Sequence, residues 1–254
     1  MLLRKLFRTA WRYKAQFISM VIMVAIGVGV FLGFNIEWKS IEVDTGEFFD
    51  ATLYADFRLY SAGGFTAKQL SAVAAIDGVD AATRYLTVNV GVKGTKKQLA
   101  LNVTEDNNVS IYYPTSGAPY DPQGEGIWLS DQFAQKNGIA LGDTLTLTYS
   151  GFEVSGPVVG LGKSGEQMIC VADENQLMPD YSTFGFCYIS PVQLKKSLGV
   201  AGLLFQYPMI YVRSGLDKET LSPLVDAALG RTTLMTSKDE HVPWAESRGE
   251  MDEG

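Results

Sequence analysis

The sequence contains one histidine, His241, and two cysteines, Cys170 and Cys187, among 254 residues. A single histidine near the end of the chain disfavours a Ser-His-Asp or Cys-His catalytic set, and no Cys/His cluster has the spacing of a zinc site. We therefore expect no catalytic residues, no bound metal, no cofactor and no enzymatic activity. Two cysteines are too few for a disulfide framework. They could form one disulfide outside the cytoplasm or remain buried thiols, and the sequence leaves both open.

Acidic side chains are absent from the first 36 residues, whose five charges are all basic. From residue 37 onward, 16 basic and 28 acidic residues give a formal charge of −12. Nucleic-acid binding depends on Lys and Arg contacts to phosphates. A body this acidic is therefore not expected to bind nucleic acid.

One long apolar stretch, residues 17–34, carries no charge over 18 residues. As a helix it is about 27 Å long, enough for most of a hydrocarbon core of about 30 Å. The basic residues before it predict a cytoplasmic N-terminus in the plasma membrane, with the main domain outside. The alternative is a cleaved signal peptide, but the apolar core is long and no small-x-small cleavage site follows Phe34.

The ends and faces of this membrane helix carry two further signals. Residues 2–11 have an amphipathic pattern typical of a helix on the cytoplasmic membrane surface, although a basic flank that only sets topology remains the alternative. Within the span, Ala25, Gly29 and Gly33 recur every four residues. Small residues at this spacing let a neighbouring helix approach closely, so we predict a helix-packing face.

Beyond the membrane, hydrophobic periodicity and turn residues predict an α+β fold. Residues 51–104 read as β-α-β-β, with Thr66 as a helix N-cap, and residues 203–236 read as β-α-β. Together they can form a split βαβ, ferredoxin-like (porter-type) subdomain. A loop at 114–126 and strands near 143–149, 152–161, 167–172 and 184–189 predict a β-rich insert. The predicted organisation is a cytoplasmic segment (1–15), a transmembrane helix (16–36), the split subdomain (37–108 and 203–245), the insert (109–202) and a tail (246–254).

A glycine-rich motif, GLGKSG at 160–165, is a candidate nucleotide site. A phosphate-binding loop requires G-x-x-x-x-G-K-[ST] followed by a helix. Pro157 occupies the place of the first glycine, and the residues after the motif have a strand pattern. We therefore interpret it as a hairpin turn without nucleotide.

The segment 127–162 resembles the extracellular core domain of FtsX-like and MacB-like ABC transporter permeases. The resembling pattern consists of Ser130, Phe133, Ala134, Gly138, Gly142, Asp143, Leu145, Leu147 and Val158-Val159-Gly160. In physical terms, Ser130 can cap a helix, Gly138 can end it, and Gly142-Asp143 can turn the chain into the next strand. The basic lead-in and first membrane helix are similar to that family as well.

This resemblance implies a permease subunit of an ABC transporter, of the export or mechanotransmission type. Its expected partners are a separate cytoplasmic ABC ATPase, other permease transmembrane helices or a second permease copy, and the lipid membrane. Such permeases continue into further membrane helices, so we expect residues 246–254 to lead toward a second helix of a longer chain. The rival hypothesis is a single-span extracellular binding or sensor protein with no ATPase partner. A membrane-anchored hydrolase is a third class, which lacks a catalytic set here.

Overall fold

The structure is a computed structural model that describes residue 11 and residues 13–171, 178–199 and 206–241. The chain divides into two units, Met1–Phe48 and Phe49–Gly254. The predicted amphipathic helix at 2–11 and the predicted tail at 246–254 lie outside the described residues. Helix α1 (Lys14–Ala51) contains the apolar stretch and continues beyond the predicted transmembrane helix (16–36) as one element of 38 residues.

The second unit begins with a split βαβ arrangement. Strand β1 (Phe57–Phe65) is followed by helix α2 (Ala67–Ala74) and strand β2 (Val79–Val92). Near the other end, strand β9 (Tyr207–Ser214) is followed by helix α5 (Lys218–Leu229) and strand β10 (Leu234–Ser237). These strands lie in the order β10-β1-β9-β2, each antiparallel to its neighbours. Each βαβ pair thus brackets a strand of the other, which confirms the expected α+β class and split arrangement.

Side-chain caps fix the helices of this unit where the sequence indicates them. The Thr66 hydroxyl accepts a hydrogen bond from the Gln69 amide while the Gln69 side chain accepts from the Thr66 amide, a reciprocal capping box. The Asp217 carboxylate caps α5 by accepting from the Thr220 amide at 2.7 Å. Gly230 ends α5 in the left-handed conformation, where glycine has no Cβ penalty.

The elements between β2 and β9 complete the sheet. They are strands β3 (Gln98–Thr104), β4 (Tyr112–Gly117), β5 (Ile127–Ser130), β6 (Thr144–Tyr149), β7 (Phe152–Ser164) and β8 (Phe184–Tyr188), and helices α3 (Asp131–Asn137) and α4 (Pro191–Leu198). A 3₁₀ turn (Gly165–Gln167) follows β7, and a short helix α6 (Lys238–His241) follows β10.

Six strands, β2, β3 and β5 to β8, close into a barrel. The pairing runs β2-β3-β8-β5-β7-β6, and β6 returns to pair with β2. Strands β2 and β3 therefore belong both to the continuous sheet of the split unit and to the barrel wall. The predicted insert does supply β5 to β8, but it completes its barrel with strands from residues 79–104. The predicted boundary at 202/203 falls outside the described residues.

Alternation along the barrel strands produces two buried layers. Leu99, Leu101 and Val103 of β3 face an aliphatic cluster inside the ring, together with Phe133 of α3 and Leu194 of α4. The intervening residues face an aromatic cluster outside it. A third cluster packs α2 and α5 against the sheet of the split unit. Successive side chains along a strand point to opposite faces of the sheet, which separates the two layers.

Three local predictions differ from the structure. Residues 51–56 end helix α1 and lead into β1, so that strand begins at Phe57 instead of residue 51. The predicted loop at 114–126 begins as strand β4, which pairs with β7 along an edge of the sheet. The predicted strand at 167–172 is absent from its described part, because the 3₁₀ turn and irregular backbone occupy 165–171.

Candidate functional site

Helix α1 is exposed along the whole apolar stretch within the described chain. It is long enough and apolar enough to cross a membrane, by length and composition. A soluble-protein helix hides one stripe and exposes polar residues on the other. This stretch is apolar on all sides, which suits lipid as its surroundings.

The predicted packing face lies open on this helix. Ala25, Gly29 and Gly33 are spaced one turn apart, and a Cβ added to Gly29 or Gly33 would meet nothing within 4 Å. Among the described residues, nothing occupies the space beside Gly29 and Gly33 on this face. That a second helix packs there stays a prediction.

Four residues of the resemblance pattern define the start and the end of helix α3 and the turn that follows it. The Ser130 hydroxyl accepts from the Phe133 amide at 3.4 Å, and Gly138 ends the helix at φ 65°. The Asp143 carboxylate accepts from the Ala140 amide at 2.8 Å. Gly142 has φ 91° and donates its amide to the Val158 carbonyl. These contacts fit a structural role, and membership of a family motif remains a prediction.

The GLGKSG segment lies in strand β7 and its following turn, so the hairpin-turn interpretation is wrong. Gly160 and Gly162 are strand residues whose missing side chains admit the neighbouring strand, since a Cβ on Gly162 would lie 2.7 Å from the Tyr112 ring. Lys163 is exposed, and Ser164 is buried within 2.8 Å of the Tyr188 hydroxyl. A phosphate site needs free amides at a helix N-terminus, and this backbone is instead paired with β4 and β5.

A buried ion pair joins the start of β1 to the turn after β7. Arg58 donates from Nη2 to Glu166 Oε2 at 2.7 Å and from Nε to the same oxygen at 3.2 Å. The side chains are only 4% and 6% exposed. Arg58 also lies between two rings, 4.9 Å from the centre of Tyr54 and 5.2 Å from that of Tyr211. Its Nη1 atom has no hydrogen-bond partner among the residues that the structure describes.

The same junction includes the backbone that follows α1. The Ser110 hydroxyl donates to Glu166 Oε1 and accepts from the Ala55 amide. The Ser110 amide donates to the Leu53 carbonyl at 2.7 Å, and the Ile111 amide donates to the Thr52 carbonyl at 2.8 Å. The chain between α1 and β1 is therefore bonded to the residues that enter β4, and Ser110 connects it to Glu166 in the turn after β7.

An aromatic layer surrounds this junction on the outer side of the barrel wall. The Tyr85 and Tyr211 rings stack at 4.2 Å, and the Tyr85 hydroxyl donates to the Tyr188 hydroxyl at 2.7 Å. Burial raises the pKa of Tyr85 and of Tyr188. These phenols therefore stay protonated near neutral pH, which fits hydrogen bonding within a core and not general-base chemistry.

Both cysteines are buried free thiols in the structure. Burial raises the pKa of the Cys170 thiol to about 12 and also raises that of Cys187. A reactive cysteine needs a lowered pKa, since the thiolate is the nucleophile. Among the described residues, no three His, Cys, Asp or Glu side chains gather at a metal-binding distance.

Sequence reasoning missed the Arg58–Glu166 pair, whose members lie 108 positions apart. The available signal was an arginine within the apolar strand pattern FRLY, where a charge is buried only with a partner. The pattern indicates that a partner exists but does not identify Glu166.

Comparisons with known proteins give distant structural likenesses. No family model matches the sequence, and no curated protein matches it either. The extracellular domain of the noncanonic ABC-type transporter YknZ from Gram-positive bacteria aligns at TM-score 0.49 and 13% identity, covering 72% of this chain and 100% of that one. The periplasmic region of MacB from Actinobacillus actinomycetemcomitans aligns at 0.46 and 11%, covering 78% and 95%.

A domain of a putative permease protein from Porphyromonas gingivalis aligns at TM-score 0.39 and 12% identity, covering 72% of this chain and 87% of that one. All three scores lie below 0.5. The fold described above rests on the strand pairing of this chain alone.

Proposed function

We propose that the chain is the permease subunit, or part of it, of an ABC transporter of the export or mechanotransmission type. The observation that carries this proposal is helix α1. It combines an apolar span, a face of small residues (Ala25, Gly29 and Gly33) and a helix that continues to Ala51. A lone anchor needs only apolarity, whereas a permease helix needs a surface that other helices can approach.

Contacts at the start of the folded unit would pass a movement of the residues after α1 on to the rest of the unit. The residues that follow α1 are hydrogen-bonded to Ser110 and Ile111, and the buried Arg58–Glu166 pair closes the same junction. A displacement of this part of the chain must therefore move the barrel strands or break buried polar bonds. Breaking such bonds is costly in a low-dielectric interior, so the junction favours movement of the whole domain.

In this proposal, ATP is bound and hydrolysed by a separate cytoplasmic ATPase. The chain's own candidate nucleotide motif is strand β7, so Lys163→Ala should leave the ATPase's nucleotide affinity unchanged. The partner helices, from this permease or a second copy, would pack at Ala25, Gly29 and Gly33. The N-terminus would be cytoplasmic and the domain from residue 49 extracytoplasmic, in the plasma membrane.

Orientation is tested by labelling whole cells with a membrane-impermeant maleimide. Gln123→Cys, on an exposed part of the domain, should react from outside, and Thr9→Cys should react only after the membrane is opened. The unchanged chain is the control, since its two cysteines are buried. Reaction of Thr9→Cys in intact cells, or a mature N-terminus beyond residue 27, would contradict the anchored, N-in arrangement.

ATPase partnership is tested on the gene and then on the protein. An open reading frame that continues into further apolar segments, or an adjacent ATPase gene, identifies the complex to purify. In lipid nanodiscs, that complex should hydrolyse ATP, whereas the chain alone should not. A chain that copurifies with no ATPase from its native membrane, and whose gene has no ATPase beside it, would favour the single-span binding or sensor protein.

A further inference from the structure

The six-stranded barrel contains an apolar cavity of about 300 Å³ at the end near helix α4. Strands β2, β3, β6 and β7 and helix α4 all contribute to its wall. The central lining residues are Leu86, Val88, Leu101, Leu147, Val154 and Leu194. Cavities of this size are at the lower end of those that bind small ligands, and barrel mouths are a common place for them.

The side chains that line the cavity range from exposed to buried. Tyr149 and Phe152, at the tip of the β6–β7 hairpin, are 51% and 45% exposed. Val88 is half-buried, and Leu147 and Leu101 are only 2% and 4% exposed. The lining therefore reaches from the exposed hairpin tip to buried side chains of the barrel core, and we call this cavity the funnel.

The volume restricts what can occupy the funnel. An α-helix with its side chains is about 10 Å across, with a rise of about 5.4 Å per turn, so even one turn of helix is larger than a cavity of about 300 Å³. A flexible hydrocarbon chain is narrower and can contact the buried side chains of Leu101 and Leu147. A single extended chain therefore fits this volume better than a helix does.

The chemistry of the wall restricts the occupant further. Two of the lining side chains named for this cavity carry a hydroxyl: the Thr148 hydroxyl donates to the Gly91 carbonyl at 3.3 Å, and the other belongs to Tyr149, which is exposed. A buried water needs two to four polar partners, and apolar cavities without them stay dry and bind apolar molecules. Burying a hydrocarbon here gains about 0.8 kcal/mol per CH₂ group removed from water.

We propose that the barrel funnel binds the acyl chain of a single-chain lipid. We expect the protein to encounter lipids, because helix α1 is long and apolar enough to lie in a bilayer. Tyr149 and Phe152 suit the entrance, since aromatic side chains favour the boundary between hydrocarbon and water. This proposal does not depend on an ATPase partner and holds for an anchored binding protein as well.

The test uses the full chain in lipid nanodiscs and palmitic acid carrying a photoreactive diazirine on its alkyl chain. After irradiation, labelled peptides are mapped by mass spectrometry. We expect saturable labelling of the peptides that contain Leu147–Val154 and Leu194–Leu198, competed by unlabelled palmitic acid. Labelling of helix α1 by probe dissolved in the bilayer serves as the positive control and should not saturate.

A matched pair of substitutions makes the test specific. Val88→Phe adds a ring inside the funnel, whereas Val192→Phe adds the same ring on an exposed position of α4 that does not line it. Val88→Phe should reduce cavity labelling about tenfold, equivalent to about 1.4 kcal/mol of binding free energy. Val192→Phe should leave it unchanged. Circular dichroism and the thermal midpoint of both variants establish that they fold.

Other occupants give different results. If residues 200–205, which lie outside the described residues, fill the funnel, its peptides will not be labelled and Val88→Phe will lower the thermal midpoint through overpacking. If a second copy covers the rim, labelling will be absent and a Tyr149→Cys variant will form crosslinked dimers. Either result, or equal labelling of both valine variants, would overturn the proposal.

Discussion

Arg58 Nη2 lies 2.7 Å from Glu166 Oε2 in a pair that is almost completely removed from solvent. Burial alone lowers the pKa of Arg58, but the Glu166 carboxylate and the surrounding phenols outweigh it, so the pKa rises and the guanidinium stays charged. A buried pair contributes little compared with apolar residues of the same size, yet losing one member leaves an uncompensated charge. The cost of substitution should therefore depend on whether one or both charges are removed.

Glu166→Leu alone should lower the free energy of unfolding by about 3–5 kcal/mol. The double variant Arg58→Met/Glu166→Leu should recover most of that loss, because neither charge remains buried. Denaturant unfolding followed by circular dichroism measures both. The exposed pair Lys93–Glu153, with side chains 56% and 49% exposed, is the control. Lys93→Ala should cost no more than about 1 kcal/mol, and a similar cost at both pairs would contradict the role of burial.

We expect the folded protein to lose stability at alkaline pH because its cysteine thiols are buried. Burial raises the pKa of the Cys170 thiol from its ordinary value of 9.0 to about 12. The protonated thiol is thus favoured in the folded state, and its stabilising contribution is complete below about pH 9. It is lost as pH rises from about 9 to about 12, because the unfolded chain ionises first. The thermal midpoint should fall across this range, and less steeply in Cys170→Ala.

Thiol labelling provides an independent check on the same residues. In its folded state the chain should react slowly with iodoacetamide near neutral pH, since little thiolate is present. After unfolding without reductant, two thiols should be titrated. An exposed cysteine introduced as Ser116→Cys is the reactive control. Rapid reaction of the unchanged folded chain, or the recovery of a disulfide, would contradict buried free thiols.

Gly185 and Phe133 give a steric prediction inside the barrel. Strand β8 passes so close to α3 that a Cβ on Gly185 would lie 2.6 Å from the Phe133 Cβ. Gly185→Ala should therefore destabilise by about 1–3 kcal/mol through overpacking. Gly215→Ala, at a position with nothing within 4 Å, is the matched control and should cost less than about 1 kcal/mol. Equal unfolding midpoints for the two variants would show that β8 can move away from α3.

The sequence predicts the split unit well because its signals are local. Thr66 marks a helix start with a short polar side chain, and strand alternation marks the buried faces. The βαβ pairs then have few ways to share one sheet. The sequence predicts that both βαβ pairs share one sheet, but it does not predict the strand order β10-β1-β9-β2.

The barrel and the buried junction could not be predicted in the same way. The ring closes through a short ladder, Gly91 with Thr148 and Val92 with Leu147, which the Lys93 amide extends by donating to the Thr146 carbonyl at 2.9 Å. Periodicity identifies the strands of residues 79–92 and 144–149 but not that they meet. Tertiary packing decides such pairings, as it decides that Pro114 lies in edge strand β4, where its missing amide can face away from the ladder.

The membrane helix separates the two main functional hypotheses. Gly29→Leu/Gly33→Leu should preserve insertion, because leucine favours the bilayer centre. It should nevertheless disrupt helix packing, since lipid provides no hydrophobic force between helices and bulky side chains separate the backbones. If the chain is the proposed permease, we expect normal amounts in the membrane but loss of transport or of coupled ATP hydrolysis, measured in nanodiscs with the ATPase that copurifies. The control is Val28→Leu/Val30→Leu on other faces of α1, which should have little effect. Full activity of the glycine double variant would show that the small-residue face is incidental and would favour a single-span binding or sensor protein.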